Sequence, residues 1–149
     1  MSTRHGTRLM YRSGVVRLFH YQCGHTHAGL CGEECSDAAS IVFPRRGIFR
    51  KRSAQGDFIA DPNSVIFFNK GESYRVEHPV AGGDACAVFE LHPDLLNDIL
   101  VAHGFRAGGS GRLPDFPTGQ IPAASRDFFL QQQVCRWAEA ATPLAEAWN

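Results

Sequence analysis

Residues 57–91 read DFIADPNSVIFFNKGESYRVEHPVAGGDACAVFEL. Short runs rich in β-branched and aromatic residues, Asp57 to Ile59, Val65 to Asn69, Tyr74 to His78 and Ala85 to Leu91, alternate here with residues that reverse a chain. Asp61-Pro62-Asn63, Asn69-Lys70-Gly71 and Gly82-Gly83-Asp84 supply the fixed or positive φ that each reversal needs. Strands separated by turns at this spacing pack as a sandwich or a small barrel.

The same rhythm extends towards the N-terminus. Val15 to Tyr21, Ser40 to Phe43 and Gly47 to Arg50 complete a set of seven or eight short strands, punctuated by Pro44, Gly47 and Gly56. Residues 1–14, with Arg4, Arg8 and Arg12, show little periodicity and read as a loose lead-in. Residues 15–106 form the expected barrel with a capping helix, because His92-Pro93-Asp94 marks a helix start and Leu95, Leu96, Ile99 and Leu100 recur at helical spacing until His103-Gly104. A Gly- and Pro-rich connector follows over 107–124. Residues 125–149 read as a second helix with Ser125 as its N-cap. Its Leu130, Val134, Trp137 and Ala141 step by four, three and four, and Leu144 and Trp148 continue the series. Such a seam either packs on its own barrel or pairs with a second copy of the helix.

Composition removes several classes of function. The 149 residues carry 15 Lys+Arg against 15 Asp+Glu, and 44% are apolar, which suits one hydrophobic core. Net neutrality argues against DNA binding by this chain itself, since phosphate contacts need uncompensated cations. No apolar run approaches the roughly 18 residues of a spanning helix, and no apolar segment follows the N-terminal arginines, so neither membrane insertion nor export is expected. Five cysteines is an odd number without the spacing of a secreted disulfide framework, which points to a reducing, cytoplasmic setting with thiols free or on a metal. The dinucleotide, Walker, nucleophile-elbow and HExxH signatures are all missing.

Beyond these patterns, the ordered phrases Pro44-Arg45-Arg46-Gly47, Asp61-Pro62, Asn69-Lys70-Gly71-Glu72 with Tyr74-Arg75, and His78-Pro79-Val80 followed by Gly82-Gly83-Asp84 and Cys86 resemble the N-terminal effector domain of AraC-family transcription regulators. The resemblance covers roughly residues 15–105. It implies a mainly β fold, a cupin-like β-barrel or double-stranded β-helix, followed by α-helices that dimerise. It also implies an effector-sensing role in transcription regulation without catalysis, and a DNA-reading domain with helix-turn-helix units that is not expected within these 149 residues. Partners would be a second copy of the chain, a small-molecule or metal effector, and DNA only through that missing domain. The residues that would touch an organic effector are not named by the resemblance.

The chemistry-bearing residues cluster. Cys23, His25 and His27 share one face if their segment is extended, and a turn at Ala28-Gly29 would bring Cys31 and Cys35 back over them. Thiolate and imidazole donors suit zinc or another soft divalent or monovalent ion. The alternative is solvated loop histidines with spectator thiols. The family resemblance places Cys23 and Cys86 at expected positions and treats His25, His27, Cys31 and Cys35 as additions. That gives a second candidate set, Cys23, His78 and Cys86, which is either a metal site, a redox or electrophile switch, or a buried thiol pair beside a core histidine. His25-Thr26-His27 resembles the His-x-His of cupin enzymes, but Glu33-Glu34 is offset and no fitting later His follows. A stand-alone cupin metalloenzyme, or a Cys/His metal or thiol sensor, remains the alternative to a regulator. Arg45 and Arg46 read as a turn, either an anion clamp or a solvated corner with a salt link. Phe43, Phe49, Phe58, Phe67, Phe68 and Phe89 read as core, or as the wall of a small-molecule pocket.

Overall fold

The computed structural model describes residues 5–24, 29–105 and 114–146. The chain runs β1 (His5–Arg12), β2 (Val16–Cys23), β3 (Gly29–Cys35), β4 (Ala39–Gly47), β5 (Phe49–Ser53), β6 (Gly56–Ala60), β7 (Ser64–Phe68), β8 (Ser73–His78), β9 (Asp84–Leu91), α1 (Pro93–Ala102), β10 (Gln120–Pro122) and α2 (Ser125–Glu146). All strand pairs are antiparallel. They form a six-stranded sheet in the order β1-β2-β9-β4-β7-β10 and a four-stranded sheet in the order β3-β8-β5-β6. The fold is therefore mainly β with helices at the C-terminal side, as the rhythm of short strands predicts.

The sequence reading misses three strands, β1, β3 and β10, and places a turn at Pro44-Arg45-Arg46-Gly47 where β4 runs on as a strand. The expected loose lead-in contains β1, which pairs with β2 from His5↔Cys23 to Arg12↔Arg17 around a bulge between Leu9 and Tyr11. That bulge breaks the period-2 pattern that would have marked the strand. Within the 107–124 connector, β10 pairs with β7, the Phe116 amide donates to Asn69 Oδ1 at 2.8 Å, and the Phe116 ring is buried against Phe67. Proline at both ends of that segment hid a strand of three residues.

Period-2 alternation assigns each face of the larger sheet a different partner. Along β9, Cys86 and Val88 point inwards, where Val42, Phe49, Ala60, Ile66 and Phe68 close the space between the two sheets. Ala87 and Phe89 point outwards, where Met10, Leu18, Cys135 and Ala138 join the sheet to α2. With both faces covered, residues 84–87 of β9 are all buried. A third cluster, Ala39, Leu91, Leu96, Leu100 and Phe116, holds α1 over the end of the barrel. Burial of a single leucine such as Leu96 contributes about 1.5–3 kcal/mol. The helix begins where His92 accepts a hydrogen bond from the Asp94 amide, with Pro93 inside its first turn.

The start of α2 is capped differently from expectation. Ser125 is its first helical residue, and Asp127 reaches back to accept from the Ala124 amide at 3.2 Å, an acidic variant of the capping box. The helix turns Gln131, Cys135 and Ala138 to the barrel and leaves Leu130, Val134, Trp137 and Ala141 exposed, Trp137 at 68%. These four seam residues thus do not pack on the barrel, and Trp148 and the Leu144 side chain lie outside what the structure describes. Arg45 Nη2 donates to Gln132 Oε1 at 2.9 Å, and Arg46 Nη1 to the Gly82 carbonyl at 3.2 Å, so these two arginines fasten β4 to α2 and to the β8–β9 connection. Among the described residues neither arginine forms the expected salt link.

Between the sheets lies one charge pair that the sequence reading missed. Lys51, fully buried, donates to the Phe67 carbonyl at 2.7 Å, lies 2.9 Å from Glu72 Oε1, and sits 4.1 Å above the Phe68 ring. Burial lowers its pKa, while the hydrogen bond and charge of Glu72 oppose that shift.

Candidate ligand and metal site

The site is built where strands from both sheets converge. β2 and β9 are paired so that Cys23 stands opposite Asp84, and β4 ends beside them with Gly47 opposite Asp84 on the other flank. Gly47 has φ +82°, and a Cβ there would strike the Gly83 carbonyl and lie 2.9 Å from Asp84 Cα. Only glycine permits this approach of β4 to the β8–β9 connection. That connection, residues 79–83, crosses from the four-stranded to the six-stranded sheet and carries His78 up to Asp84.

His78 Nε2 lies 2.8 Å from Asp84 Oδ1, and Cys86 Sγ donates to Asp84 Oδ2 at 3.4 Å. The imidazole faces the carboxylate with one ring nitrogen and leaves the other for a different partner. That other nitrogen, Nδ1, is 3.9 Å from Cys31 Sγ. Cys31 lies within the bulge that interrupts the β3–β8 ladder between Leu30 and Glu33, a distortion that re-aims side chains out of the regular pleat. Cys23, His78 and Asp84 each offer one ligand atom within 4.8 Å of the others. All three are buried, at 1%, 2% and 3% exposure.

These groups help line a cavity of about 490 Å³ between the sheets. Phe19, Tyr21, Val42, Phe49, Phe68 and Val88 give it an apolar wall, and Glu34, Ser40 and Tyr74 add polar points. An apolar chamber with a few convergent polar groups is the form that small-molecule sites take. Burial pushes up the Cys86 thiol, with Asp84 adding to the effect, and burial followed by the charges of Glu34 and Asp84 pushes up the Cys31 thiol. Burial and the hydrogen bond to Glu34 likewise raise the Tyr74 hydroxyl.

Of the expected metal residues, Cys23, His78 and Cys86 are brought together, though Cys86 joins through Asp84. Cys31 meets His78. Cys35 is exposed at the cavity rim, opposite Ser73 on β8 and outside the Cys23, His78, Asp84 group. His25 and His27 lie outside the described residues. Asp84, the group that organises the site, was passed over as part of a Gly-Gly-Asp turn. Its period-2 relation to Cys86 and Val88 placed it on the inward face. Of the candidate phenylalanines, Phe49 and Phe68 line the cavity, Phe43 packs edge-on to Phe89 beneath α2, Phe67 packs on Phe116, and Phe58 fills the space above Gly119.

No family model matches the sequence, and no curated protein matches it. Solved structures do. The chain is similar to apo ToxT K231A from Vibrio cholerae strain SCE256, with a TM-score of 0.58, 10% identity, and coverage of 84% of this chain and 48% of that one. It is also similar to an RmlC-like cupin family protein with a double-stranded β-helix fold from Methanocaldococcus jannaschii, with a TM-score of 0.50, 10% identity, and coverage of 64% and 88%. A third likeness is to the EutQ protein of Clostridium difficile, with a TM-score of 0.50, 13% identity, and coverage of 60% and 69%. The chain spans about half the length of ToxT. Together with the two antiparallel sheets, these likenesses show a cupin double-stranded β-helix carrying a C-terminal helix.

Proposed function

We propose that the chain is the effector-sensing and dimerisation domain of an AraC-type transcription regulator, without catalytic turnover. The observation that carries the reading is the chamber between the sheets, with an apolar wall interrupted by polar groups. The AraC-like phrases at residues 44–86 and the fold shared with ToxT, an AraC-type regulator, support it. Among the described residues no helix is long and apolar enough to cross a membrane.

A single strand couples the chamber to the helix. Cys86 and Val88 of β9 line the cavity, and Ala87 and Phe89 between them carry the packing of Cys135 and Ala138. A ligand that fits one setting of β9 better than another shifts the population of α2 positions by its differential affinity. The exposed Leu130, Val134, Trp137 and Ala141 are the face on which a second copy would dock. DNA would be reached only through a domain outside this chain.

The test is retention of a small molecule. The protein is incubated with a bacterial metabolite extract, washed, and its bound compounds released and weighed by mass spectrometry, beside a Val88→Trp variant whose fold is checked by circular dichroism. We expect a compound held by the wild type, lost from the variant and recovered chemically unchanged. Identical sets from both proteins would contradict the reading. Conversion of the retained compound to a product would establish the alternative, a stand-alone cupin enzyme.

A further inference from the structure

We propose that the chamber between the sheets takes a small organic cation, an ammonium group on an apolar body, and that Glu34, Asp37 and Asp84 select its charge. The proposal rests on the reading of the chamber as the effector site and names the class of effector. Four carboxylates line the cavity, those of Glu34, Asp37, Asp84 and Glu90, whereas no lysine or arginine does. Glu90 is compensated by Arg17 at 2.6 Å. Among the described residues none of the other three pairs with a lysine or arginine, and the His78 ring against Asp84 is the one basic side chain at the cavity. Elsewhere in the barrel Asp57 and Glu77 pair with Arg50 and Arg52, and Glu72 pairs with Lys51. The barrel thus compensates those carboxylates and leaves the three at the chamber open to a cation from outside.

Asp84 is 3% exposed and is held by the His78 ring at 2.8 Å and the Cys86 thiol at 3.4 Å. Those two contacts leave acceptor positions on its oxygens, and an ammonium that reached them would offset part of the cost of burying the charge. Glu34 on β3 and Asp84 on β9 come from opposite sheets. Tyr21 and Cys31 are pushed up first by burial and then by surrounding negative charge, to which both carboxylates contribute in each case. The space between the sheets therefore carries a field of one sign, and a recess walled by one sign of charge concentrates ions of the other. Tyr74 donates its hydroxyl to Glu34 at 2.8 Å and packs edge-on to Phe68, with ring centroids 4.8 Å apart. With Phe19, Tyr21 and Phe49, these rings give an apolar body its wall and an ammonium its π faces. An anionic effector would meet like charge from Glu34, Asp37 and Asp84, and an inorganic cation would leave the apolar wall unused.

The test compares three probes that share a phenyl body, the cation phenethylammonium, neutral phenethyl alcohol and the anion hydrocinnamate, each titrated calorimetrically into the full chain. We expect the cation to bind about tenfold more tightly than the alcohol, and the anion not to bind at millimolar concentration. Glu34→Gln should lower the affinity for the cation about threefold and Asp84→Asn about tenfold, with that for the alcohol nearly unchanged. Asp57→Asn, at a carboxylate paired with arginine and outside the cavity lining, should change neither. If Asp84→Asn fails to fold, Glu34→Gln combined with Asp37→Asn carries the comparison, since both of those sites are exposed. Val88→Trp should abolish binding of cation and alcohol alike, which places them in the chamber. Alcohol or anion binding as tightly as the cation, or a cation affinity unmoved by the carboxylate substitutions, would overturn the cationic class and leave the chamber an effector site. Cation binding that survives Val88→Trp, or none at millimolar concentration, would overturn it as well. Failure of the effector reading itself shows separately, as identical compounds retained from the extract by wild type and Val88→Trp.

Discussion

Cys23 and Asp84 stand opposite each other across the β2–β9 ladder, and Asp84 is at the same time 2.8 Å from the ring of His78 on the other sheet. One aspartate therefore joins the pairing of the large sheet to the end of β8 in the small one. The approach depends on Gly47. Replacing Gly47 by alanine sets a methyl group against the Gly83 carbonyl in a backbone region closed to L-residues. We expect a loss of about 1–3 kcal/mol, read by urea denaturation. Stability equal to wild type would show that the close approach of β4 to the Gly83 carbonyl is not what Gly47 provides.

The Lys51–Glu72 pair gives a different expectation. Glu72→Ala leaves a buried ammonium with only the Phe67 carbonyl and the Phe68 ring, and should cost about 3–5 kcal/mol. Lys51→Met combined with Glu72→Leu removes both charges and should recover most of that loss. A double variant as unstable as Glu72→Ala alone would mean that shape, and not the unpaired charge, sets the cost.

The two faces of α2 separate self-association from folding. Trp137→Asp, on the exposed face, should change stability by no more than about 0.5 kcal/mol while lowering the sedimentation coefficient of a dimer to that of a monomer. Cys135→Asp places an unpaired charge in the cluster beneath the helix and should cost about 3 kcal/mol or more. Trp137→Asp that still sediments as a dimer removes this face as the interface.

Stability should fall on the alkaline side. The folded state raises the pKa of Tyr74, first by burial and then by its hydrogen bond to Glu34, so folded protein holds that proton more tightly than unfolded protein. Its contribution is full below the ordinary tyrosine value of 10.0 and is lost as pH rises above it. His20 works oppositely: burial, then Arg45 and Arg8, lower its pKa, so its contribution is present above 6.5 and declines as pH falls through the lowered value. Chemical denaturation across pH should show a shallower alkaline limb in Tyr74→Phe and a shallower acid limb in His20→Gln. Unchanged limbs would assign the pH dependence to other groups.

Much of the barrel was legible because its strands obey one local rule. From Val65 to Leu91 the turns fall where Pro62, Gly71 and Gly83 require them, and observed strand ends lie within two residues of those expected. β1 and β3 escaped because bulges at Leu9/Tyr11 and Leu30/Glu33 interrupt the alternation by which a strand is recognised. At the site, thiols and imidazoles drew the eye by residue type. Asp84 and Lys51 were passed over because a turn aspartate and a strand lysine are ordinarily solvated, and only the stacking of the two sheets buries them. Cys31 likewise reaches His78 through a strand pairing 47 residues apart, which no local spacing encodes.

The most direct test of the sensing account joins the 149-residue chain to a DNA-binding domain that needs an added dimerisation unit, and reads repression of a reporter in cells. The account predicts repression by the wild-type fusion that changes when the retained small molecule is supplied, no repression by the Trp137→Asp fusion, and repression unresponsive to that molecule in the Val88→Trp fusion. Repression that ignores both substitutions, or a folded wild-type fusion that never represses, would contradict it.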